Sequence, residues 1–310
     1  MNIMHMKYAV EIANIGSINK AAEILLIAQP NLSRCIKELE SDLGITIFVR
    51  SSKGMLLTPE GEEFISYAKN ILKQIDDVEQ MYHHGKMQRQ KFSLCAPRAS
   101  YISEAFAQFT NYIEEDPAEI FYNETNSHQT ITHIINNEYS LGIIRYATGF
   151  DKYFRRSLEE KGIEYELVSE FSYMLVASKM SRLKSLNKIH YEDLNPLIEI
   201  AHADPYVPSL PISLVKKEEL PDNNKRRIFI FERASQFGIL SANPDTFMWV
   251  SPIPDNILDK YRLIQRNCVD NKRMYRDILI YRKGYRLTEL DRMFITELCN
   301  VKRTYIDKNK

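Results

Sequence analysis

Residues 19–40, NKAAEILLIAQPNLSRCIKELE, limit most strongly what this chain can fold into. Apolar residues recur at helical spacing up to Leu25, pause over residues 27–30, and resume at Leu32 with steps of four, three and four residues to Leu43. The opposite side of the resumed run is polar and carries Ser33, Arg34 and Lys37. The pattern is either an ordinary helical hairpin or a turn that presents a polar helix face to a partner.

Glycines and a serine divide the neighbouring residues into short elements. A first helix is expected over roughly residues 4–15; Gly16 suits its C-terminus, Ser17 is a good N-cap for the next helix, and Gly44 ends the third. In the next residues the side-chain pattern alternates at strand spacing on both sides of a polar stretch. This pattern predicts a β-hairpin with strands near 45–49 and 55–57 around a polar turn at 50–54. Three helices and a hairpin in about 58 residues make a small winged helix-turn-helix shape.

A long helix is expected next, because Thr58 can cap it and Pro59 suits its first position. Its apolar residues follow at steps of seven, four, three and four and form a heptad-like seam: Phe64, Ile71, Ile75, Val78 and Tyr82. Such a seam favours packing on a partner chain, with packing on the chain's own body as the alternative. Residues 83–91, HHGKMQRQK, are expected to form a polar hinge.

From Phe92 onward the pattern changes to alternating strands and helices. Strands are predicted in KFSLCA, EIFYNET and SLGIIRYA and near residues 173–177, 228–231, 247–250 and 278–281, and helices at 103–113, 128–137, 234–242 and 288–303. The alternation indicates an α/β fold with a largely parallel sheet. Some 220 residues exceed one comfortable lobe, so two lobes with a cleft between them are expected.

Composition and charge narrow the class of protein. The 41 basic and 41 acidic side chains balance, so any surface for nucleic acid must be local. The N-terminus has charge scattered through its apolar residues, unlike a signal peptide, and no stretch reaches the roughly 18 apolar residues of a membrane helix. The four cysteines lack C-x-x-C spacing, which favours buried free thiols in a reducing cytoplasm.

Residues 16–61, GSINKAAEILLIAQPNLSRCIKELESDLGITIFVRSSKGMLLTPEG, resemble the LysR-type transcriptional regulators. The shared pattern comprises Gly-Ser, Ala-Ala, Gln-Pro, Leu-Ser-Arg and Leu-Glu, followed by Leu-Gly, Phe, Arg and a closing Leu-Thr and Gly. The resemblance over residues 92–310 is weaker and rests on length and element order. It implies a DNA-binding domain at 1–58, a linker helix and hinge at 59–90, and a periplasmic-binding-protein-like α/β effector domain at 91–310. Its two lobes are expected at about 91–167 with 268–310, and at about 168–267.

The resemblance implies a cytoplasmic transcription factor that works as a homodimer or homotetramer on double-stranded promoter DNA, with RNA polymerase as a further partner. Gln29 can pair with adenine, Pro30 can contact a thymine methyl, and Arg34 can grip guanine or phosphate. The residues that the family pattern turns toward DNA are Gln29, Pro30, Ser33, Arg34 and Lys37 on the helix and Arg50 and Lys53 on the wing. The alternative for each is a merely solvated position.

Three departures from the family pattern matter. Ala28 stands where the family usually has a Ser or Thr cap, so the reading helix should lose a cap that contributes roughly 1 kcal/mol. Ser140 replaces a usual Asp, and SANPDTFMWVSP lacks a glycine-rich turn. The effector site of the family therefore does not transfer residue by residue.

A small, anionic effector is expected at the C-terminal edge of the parallel strands, where helix N-termini converge. The candidate residues are Arg98, Ser100, Tyr101, Asn126, Ser127 and, from the second lobe, His202. For each of them an ordinary helix cap or loop position is the alternative; Ser100, for instance, could cap the helix that follows it.

Enzyme, cofactor and metal functions are not indicated. The sequence contains no G-x-S-x-G, P-loop or H-E-x-x-H motif, and His128 and His133 lie five residues apart, on different helix faces. His83 and His84 are more plausible as solvated hinge residues than as metal ligands. Two competing functions stay open: a cytosolic small-molecule-binding protein or enzyme that never touches DNA, and a nucleoid-type DNA binder without an effector.

Overall fold

The computed structural model describes residues 2–51, 54–82, 90–202, 226–231 and 233–306. The chain separates into two units, Met1–Gln88 and Arg89–Lys310, each built around its own core. The expected hinge at 83–91 falls mostly outside the described residues.

The first unit contains the three expected helices, α1 (Ile3–Ile15), α2 (Ile18–Ile24) and α3 (Gln29–Leu43). Gly16 and Gly44 end α1 and α3 with φ of 70° and 69°, a conformation that glycine adopts without strain. The Ser17 side chain caps α2 by accepting a hydrogen bond from the Lys20 amide. Ala21 and Ala22 are buried in the core of this unit, where small side chains allow helices to pack closely. The helix-turn-helix arrangement is therefore confirmed.

The hairpin consists of strands β1 (Phe48–Ser51) and β2 (Gly54–Leu57), paired antiparallel. β1 begins three residues later than the alternation suggested, because the amide of Ile47 is bonded to the side chain of Glu40 instead of a neighbouring strand. The amide of Met55 donates to the Gly16 carbonyl at 2.9 Å and so joins the hairpin to the end of α1.

Helix α4 (Pro59–Tyr82) follows the hairpin, and Thr58 caps it by accepting a hydrogen bond from the Gly61 amide at 2.9 Å. Its buried face, which includes Ile65 and Ala68, packs within the first unit, where α4 contacts α1. The expected seam lies on another side of the helix: Ile71 and Val78 are 38% and 54% exposed. The chain's own body therefore covers a different stripe of α4, although Phe64 joins the edge of the core.

The second unit contains two five-stranded sheets. The sheet of lobe I has the strand order β4-β3-β5-β12-β6, formed by β3 (Gln90–Ala96), β4 (Ala118–Glu124), β5 (Leu141–Ala147), β6 (Ile163–Phe171) and β12 (Tyr275–Arg282). Its helices are α5 (Ser100–Phe109), α6 (Ser127–Ile135), α7 (Asp151–Glu160) and the C-terminal α10 (Glu289–Tyr305). Short 3-10 turns occur at Thr110–Tyr112 and Thr148–Phe150.

The sheet of lobe II has the order β11-β7-β10-β8-β9, formed by β7 (Met174–Ser178), β8 (Ile198–His202), β9 (Arg227–Ile230), β10 (Thr246–Val250) and β11 (Leu263–Arg266). Its helices are α8 (Ala234–Ala242) and α9 (Asp255–Lys260), with 3-10 turns at Arg182–Lys184 and Tyr191–Leu194. The expected α/β fold with two lobes is confirmed.

The prediction of a largely parallel sheet is wrong. In lobe I, β3 pairs parallel with β4 and β5, but β12 pairs antiparallel with β5 and β6. Lobe II repeats this division, since β10 and β9 are parallel to β8 while β10 and β11 are antiparallel to β7. The lobe I sheet is mixed because the chain returns to it from lobe II as β12, and the lobe II sheet is mixed because its first strand, β7, runs antiparallel to β10 and β11. Element order alone does not record these directions.

The chain passes between the two sheets at residues 172–173 and again at 267–274. Aromatic stacking joins the two crossings, because the rings of Tyr173 and Tyr275 lie 4.0 Å apart between centroids. Asn271 adds a side-chain hydrogen bond of 2.8 Å to the Tyr173 carbonyl. The first crossing begins after Phe171, slightly beyond the boundary near 167 suggested by the sequence.

Among the described residues, none of the helices combines the length and apolar character needed to cross a membrane.

Replacing Gly61 with alanine should destabilise the first unit. A Cβ at this position would lie 2.2 Å from the Ile47 carbonyl oxygen, so the hairpin or α4 would have to move. Overpacking of this kind costs roughly 1–3 kcal/mol. Urea unfolding followed by circular dichroism should show the loss. Gly238→Ala in α8 is the matched control, because its Cβ would meet no atom within 4 Å, and it should be neutral or stabilising.

Candidate functional site

Helix α3 presents a polar face that the core does not use. Leu32, Ile36 and Leu39 are buried beneath it. Pro30, Arg34 and Lys37 are exposed, whereas Gln29 and Ser33 are half-buried at the same end of the helix. Because residues spaced by four and three lie on one side of a helix, the exposed side chains form one surface, here called the α3 face. It carries two cations and no acidic residue in its first turn.

The N-terminus of α3 is uncapped. Ala28 is the N-cap residue, with φ −61° and ψ 127°, and makes no side-chain cap hydrogen bond. This agrees with the expectation from the sequence. Pro30 carries no amide hydrogen, and the amides of Asn31 and Leu32 donate to the Ala28 carbonyl at 2.9 and 3.2 Å, so this helix end offers few free N–H groups to an anion.

The hairpin is held to α3 by one carboxylate. Glu40 Oε1 accepts hydrogen bonds from the amides of Ile47 and Phe48 at 2.7 and 3.1 Å. No sequence signal indicated this anchoring role of Glu40. Arg50 is exposed on β1, and Lys53 lies outside the described residues.

In lobe I, the parallel pairing of β3 with β4 brings the loops after them to one edge of the sheet. Ala96 pairs with Glu124 at the ends of these strands, and the Thr125 amide donates to the Ala96 carbonyl at 2.9 Å. Helices α5 and α6 begin directly after these loops. We call this the lobe I edge; five of the six predicted effector residues lie there.

A buried ion pair lies beneath the lobe I edge. Arg145 donates to both carboxylate oxygens of Asp277, at 2.7 and 2.6 Å, and the two side chains are 4% and 0% exposed. The Arg145 guanidinium also lies 4.8 Å from the centroid of the Phe171 ring. Burial alone would lower the pKa of Arg145, but the Asp277 carboxylate more than compensates and raises it well above its ordinary value. The Arg145 guanidinium therefore keeps its charge.

Tyr101 and Ser127 are bonded to this pair. The Tyr101 hydroxyl donates to Asp277, and burial followed by the nearby carboxylate raises the pKa of Tyr101 well above its ordinary value, which keeps the hydroxyl protonated. Ser127 Oγ donates to the Arg145 carbonyl at 2.7 Å and accepts from the Arg145 amide at 3.0 Å. Both side chains are almost fully buried, and both hydroxyls have partners within the protein.

The other predicted effector residues have varied surroundings. Asn126 caps α6 by accepting from the Gln129 amide at 2.9 Å. Arg98 is half-buried before α5, and His202 is half-buried at the end of β8 in lobe II. Ser100 is not a helix cap, because Ala99 is the N-cap of α5; the Ser100 hydroxyl accepts a 3.0 Å hydrogen bond from Arg233 instead.

Arg233 reaches the lobe I edge from lobe II. One guanidinium nitrogen is bonded to Glu124, and the other donates to the hydroxyls of Ser100 and Ser103 at 3.0 and 3.1 Å. The sequence did not suggest Arg233 or Glu124, which are separated by 109 residues. Arg145 left a weak sign in the sequence, because it is a charged residue inside the otherwise apolar strand LGIIRYA, and charges are almost never fully buried unless paired.

Residues 3–62 match the model of the lysR family of bacterial regulatory helix-turn-helix proteins. Over these residues the chain carries a helix-turn-helix of this family. The matched residues include α1 to α3, the hairpin and the start of α4. The α3 face therefore lies on the second helix of a family helix-turn-helix.

Curated relatives are similar mainly in this region. The uncharacterized HTH-type transcriptional regulator YcgK of Bacillus subtilis is 51% identical over 78 residues, 25% of this chain and 24% of YcgK. The nitrogen assimilation regulatory protein nac of Escherichia coli is 30% identical over 147 residues, 46% of this chain and 48% of nac. The aligned part of this chain thus spans between about a quarter and a half of these relatives. Both relatives are named as regulators.

Solved structures match the fold over almost the whole chain. A full-length OxyR variant of Pseudomonas aeruginosa has a TM-score of 0.66 at 17% identity, covering 98% of this chain and 97% of that one. CbnR, a LysR family transcriptional regulator, has a TM-score of 0.60 at 15% identity, covering 97% and 99%. At such identities the likeness shows the fold alone.

Two departures from the family pattern have visible consequences in the structure. Ala28 leaves α3 without a side-chain cap. Ser140, in place of the usual Asp, forms a small hydroxyl pair: its amide donates to Ser93 Oγ at 2.8 Å, and the Ser93 hydroxyl donates to Ser140 Oγ at 3.3 Å. The thiols are less uniformly buried than expected, since Cys95 and Cys268 are buried while Cys35 and Cys299 are half-buried.

Ala28→Ser should stabilise the first unit by about 1 kcal/mol, because a serine at the N-cap can accept a hydrogen bond from an amide in the first turn of α3. Thermal unfolding of the full chain would measure the gain. Ala28→Val, which offers no acceptor, is the control and should not stabilise. An equal effect of both substitutions would rule out capping as the cause.

Asp277→Asn should destabilise the second unit by about 3–5 kcal/mol, because it leaves the Arg145 charge buried without a counter-charge. Urea unfolding followed by the fluorescence of Trp249, which lies in lobe II, and by circular dichroism would measure the loss. Asp259→Asn removes a carboxylate from a pair with Lys179 on the protein surface and should have little effect. Similar losses in the two variants would contradict the importance given to the buried pair.

Proposed function

We propose that this protein is a sequence-specific DNA-binding transcriptional regulator controlled by a small-molecule effector. The observation that carries the proposal is the α3 face: exposed Pro30, Arg34 and Lys37 on the second helix of a lysR-family helix-turn-helix. Such a helix can enter the major groove with its N-terminal residues against base edges. The proposed site of action is the cytoplasm, where the chromosome lies, and RNA polymerase is a proposed further partner.

The distribution of charge supports a DNA partner despite the neutral total. The first turn of α3 has no acidic residue, and the acidic Glu40 is engaged with the hairpin amides. Arg34 can donate two parallel hydrogen bonds to guanine, and Lys37 can approach a phosphate as a point charge. Arg50, exposed on β1, and Lys53 beyond it are proposed to contact the backbone or a minor groove.

A second copy of this chain is the proposed partner of α4. Tyr67, Ile71 and Val78 are exposed at helical spacing, with Tyr67 at 63%. An apolar stripe of this kind favours helix–helix association. Pairing through α4 would bring two reading helices to a roughly palindromic site. A dimer is therefore proposed, and a tetramer formed from two such dimers is compatible with the same contact.

The effector is proposed to bind at the lobe I edge, with lobe II as the facing wall. The N-terminus of α5 and the half-buried Arg98 favour an anionic group there. Tyr101 and Ser127, whose hydroxyls are bonded to Asp277 and Arg145, are proposed to shape the floor of the site, and Asn126 its rim. His202 is the proposed contact from lobe II. Catalysis is not part of this proposal.

Arg34→Ala should weaken binding to a promoter fragment about tenfold to a hundredfold, because one good base contact contributes about 1–3 kcal/mol of discrimination. Fluorescence anisotropy with a fragment enriched from genomic DNA, at fixed salt, would measure the loss. Arg156→Ala is the matched control: Arg156 is an exposed arginine on α7, paired with Glu160, and its loss should leave affinity unchanged.

Unchanged affinity of the Arg34→Ala protein would remove the DNA-reading role from α3. If the wild-type protein also failed to enrich any fragment, a small-molecule-binding protein without a DNA-binding role would be the better interpretation. Binding with weak sequence preference and no response to any ligand would instead indicate a nucleoid-type DNA binder.

A further inference from the structure

We propose that Arg233 and Glu124 form a latch that holds the two lobes together before any effector binds. Arg233 belongs to lobe II, where it precedes α8, and Glu124 is the last residue of β4 in lobe I. The link is therefore made by side chains that belong to different sheets. An ordinary surface pair within one element could not join the lobes in this way.

The latch is built from several contacts. Glu124 Oε1, bonded to Arg233, also accepts a hydrogen bond from the Tyr122 hydroxyl at 3.0 Å. The second guanidinium nitrogen is shared by Ser100 and Ser103 in the first turn of α5. A guanidinium offers donors in a fixed plane, so one arginine can hold a carboxylate and two hydroxyls at the same time.

The surroundings make the latch stronger than a typical surface pair. The Arg233 and Glu124 side chains are 15% and 18% exposed, so water and salt screen them only in part. A cation beside the N-terminus of α5 would by itself be unfavourable, because the amide N–H groups there carry partial positive charge. Glu124 offsets this repulsion. Loss of the Glu124 carboxylate should therefore separate the lobes, because the repulsion between Arg233 and the N-terminus of α5 would no longer be offset.

A second contact supports the same closure. Asn256, in the first turn of α9 of lobe II, donates to Glu104 of α5 at 3.4 Å. The Tyr173–Tyr275 stack joins the two chain crossings between the lobes. The lobes are thus connected covalently at the crossings and by a charged contact at the lobe I edge, an arrangement that allows hinge closure about the crossings.

The latch has a consequence for the kind of ligand that could act here. An anion that binds between the lobes must compete with Glu124 for Arg233, whereas a neutral ligand could leave the latch in place. Only this competition between an anion and Glu124 rests on the proposed function, because it requires an effector that binds between the lobes. The lobe contact itself would hold even if the chain did not bind DNA.

The separation of the lobes can be measured by pulsed electron paramagnetic resonance on the full chain. Cysteines for the spin labels are introduced by Lys161→Cys in lobe I and Lys188→Cys in lobe II, where both lysines are exposed. The half-buried cysteines are removed by Cys35→Ser and Cys299→Ser. Labelled chains are diluted with unlabelled chains so that only distances within one chain are recorded.

We expect one main distance between the two labels in the protein with an intact latch. Glu124→Gln and Arg233→Met should each add a second population in which the lobes are separated. This population should be larger in Glu124→Gln, because the unpaired Arg233 guanidinium remains beside α5. High salt should shift the latched protein toward this second population. Lys179→Met removes an ion pair within lobe II and should keep the original distribution. Circular dichroism of each variant identifies any that fails to fold.

Identical distance distributions in all folded proteins would overturn the latch. This result would leave the proposed function intact, since promoter binding by the same variants is measured separately by anisotropy. If the wild-type protein bound no DNA fragment while Glu124→Gln and Arg233→Met still showed the second distance population, the proposed function would be wrong and the latch would stand.

Discussion

The buried pair of Arg145 and Asp277 is the interaction on which the candidate effector site depends. Two charges inside a protein are tolerated only when they neutralise each other and satisfy their hydrogen bonds. Here the pair joins neighbouring strands, β5 and β12, and the Tyr101 hydroxyl attaches α5 to Asp277. Ser127 attaches α6 to the backbone of Arg145 through its carbonyl and amide. The N-terminus of α5 is therefore positioned by a charge pair below it, and that of α6 by the strand that carries Arg145.

The first unit uses a carboxylate in a related way. Glu40 takes two amides of the chain entering β1, and Thr58 closes the opposite side by donating to the Thr46 carbonyl at 2.5 Å. Side-chain hydrogen bonds therefore tie the segment between α3 and the hairpin from two sides. This rigidity allows a small domain to present the α3 face at a defined angle. The absent cap at Ala28 affects only the helix end and leaves this anchor untouched.

Local sequence signals predicted the elements well where they acted over a few residues. Gly16, Ser17, Gly44 and Thr58 mark helix ends because their backbone or side chain satisfies local groups. The same reasoning missed the helices α7 and α9 and the strands β6, β8 and β11. It also predicted a largely parallel sheet, since alternation of strands and helices does not reveal that β12 returns from the other lobe to lie antiparallel between β5 and β6.

By itself, the sequence determined the lysR-type helix-turn-helix, the polar α3 face and the existence of a two-lobed α/β domain, because periodicity and capping are local properties of the chain. Only the tertiary structure decided that Tyr101 and Ser127 are engaged by a buried ion pair, and that Arg233 meets Glu124 across the lobes. The physical reason is distance along the chain: side-chain charges separated by more than a hundred residues become partners only after both sheets have formed.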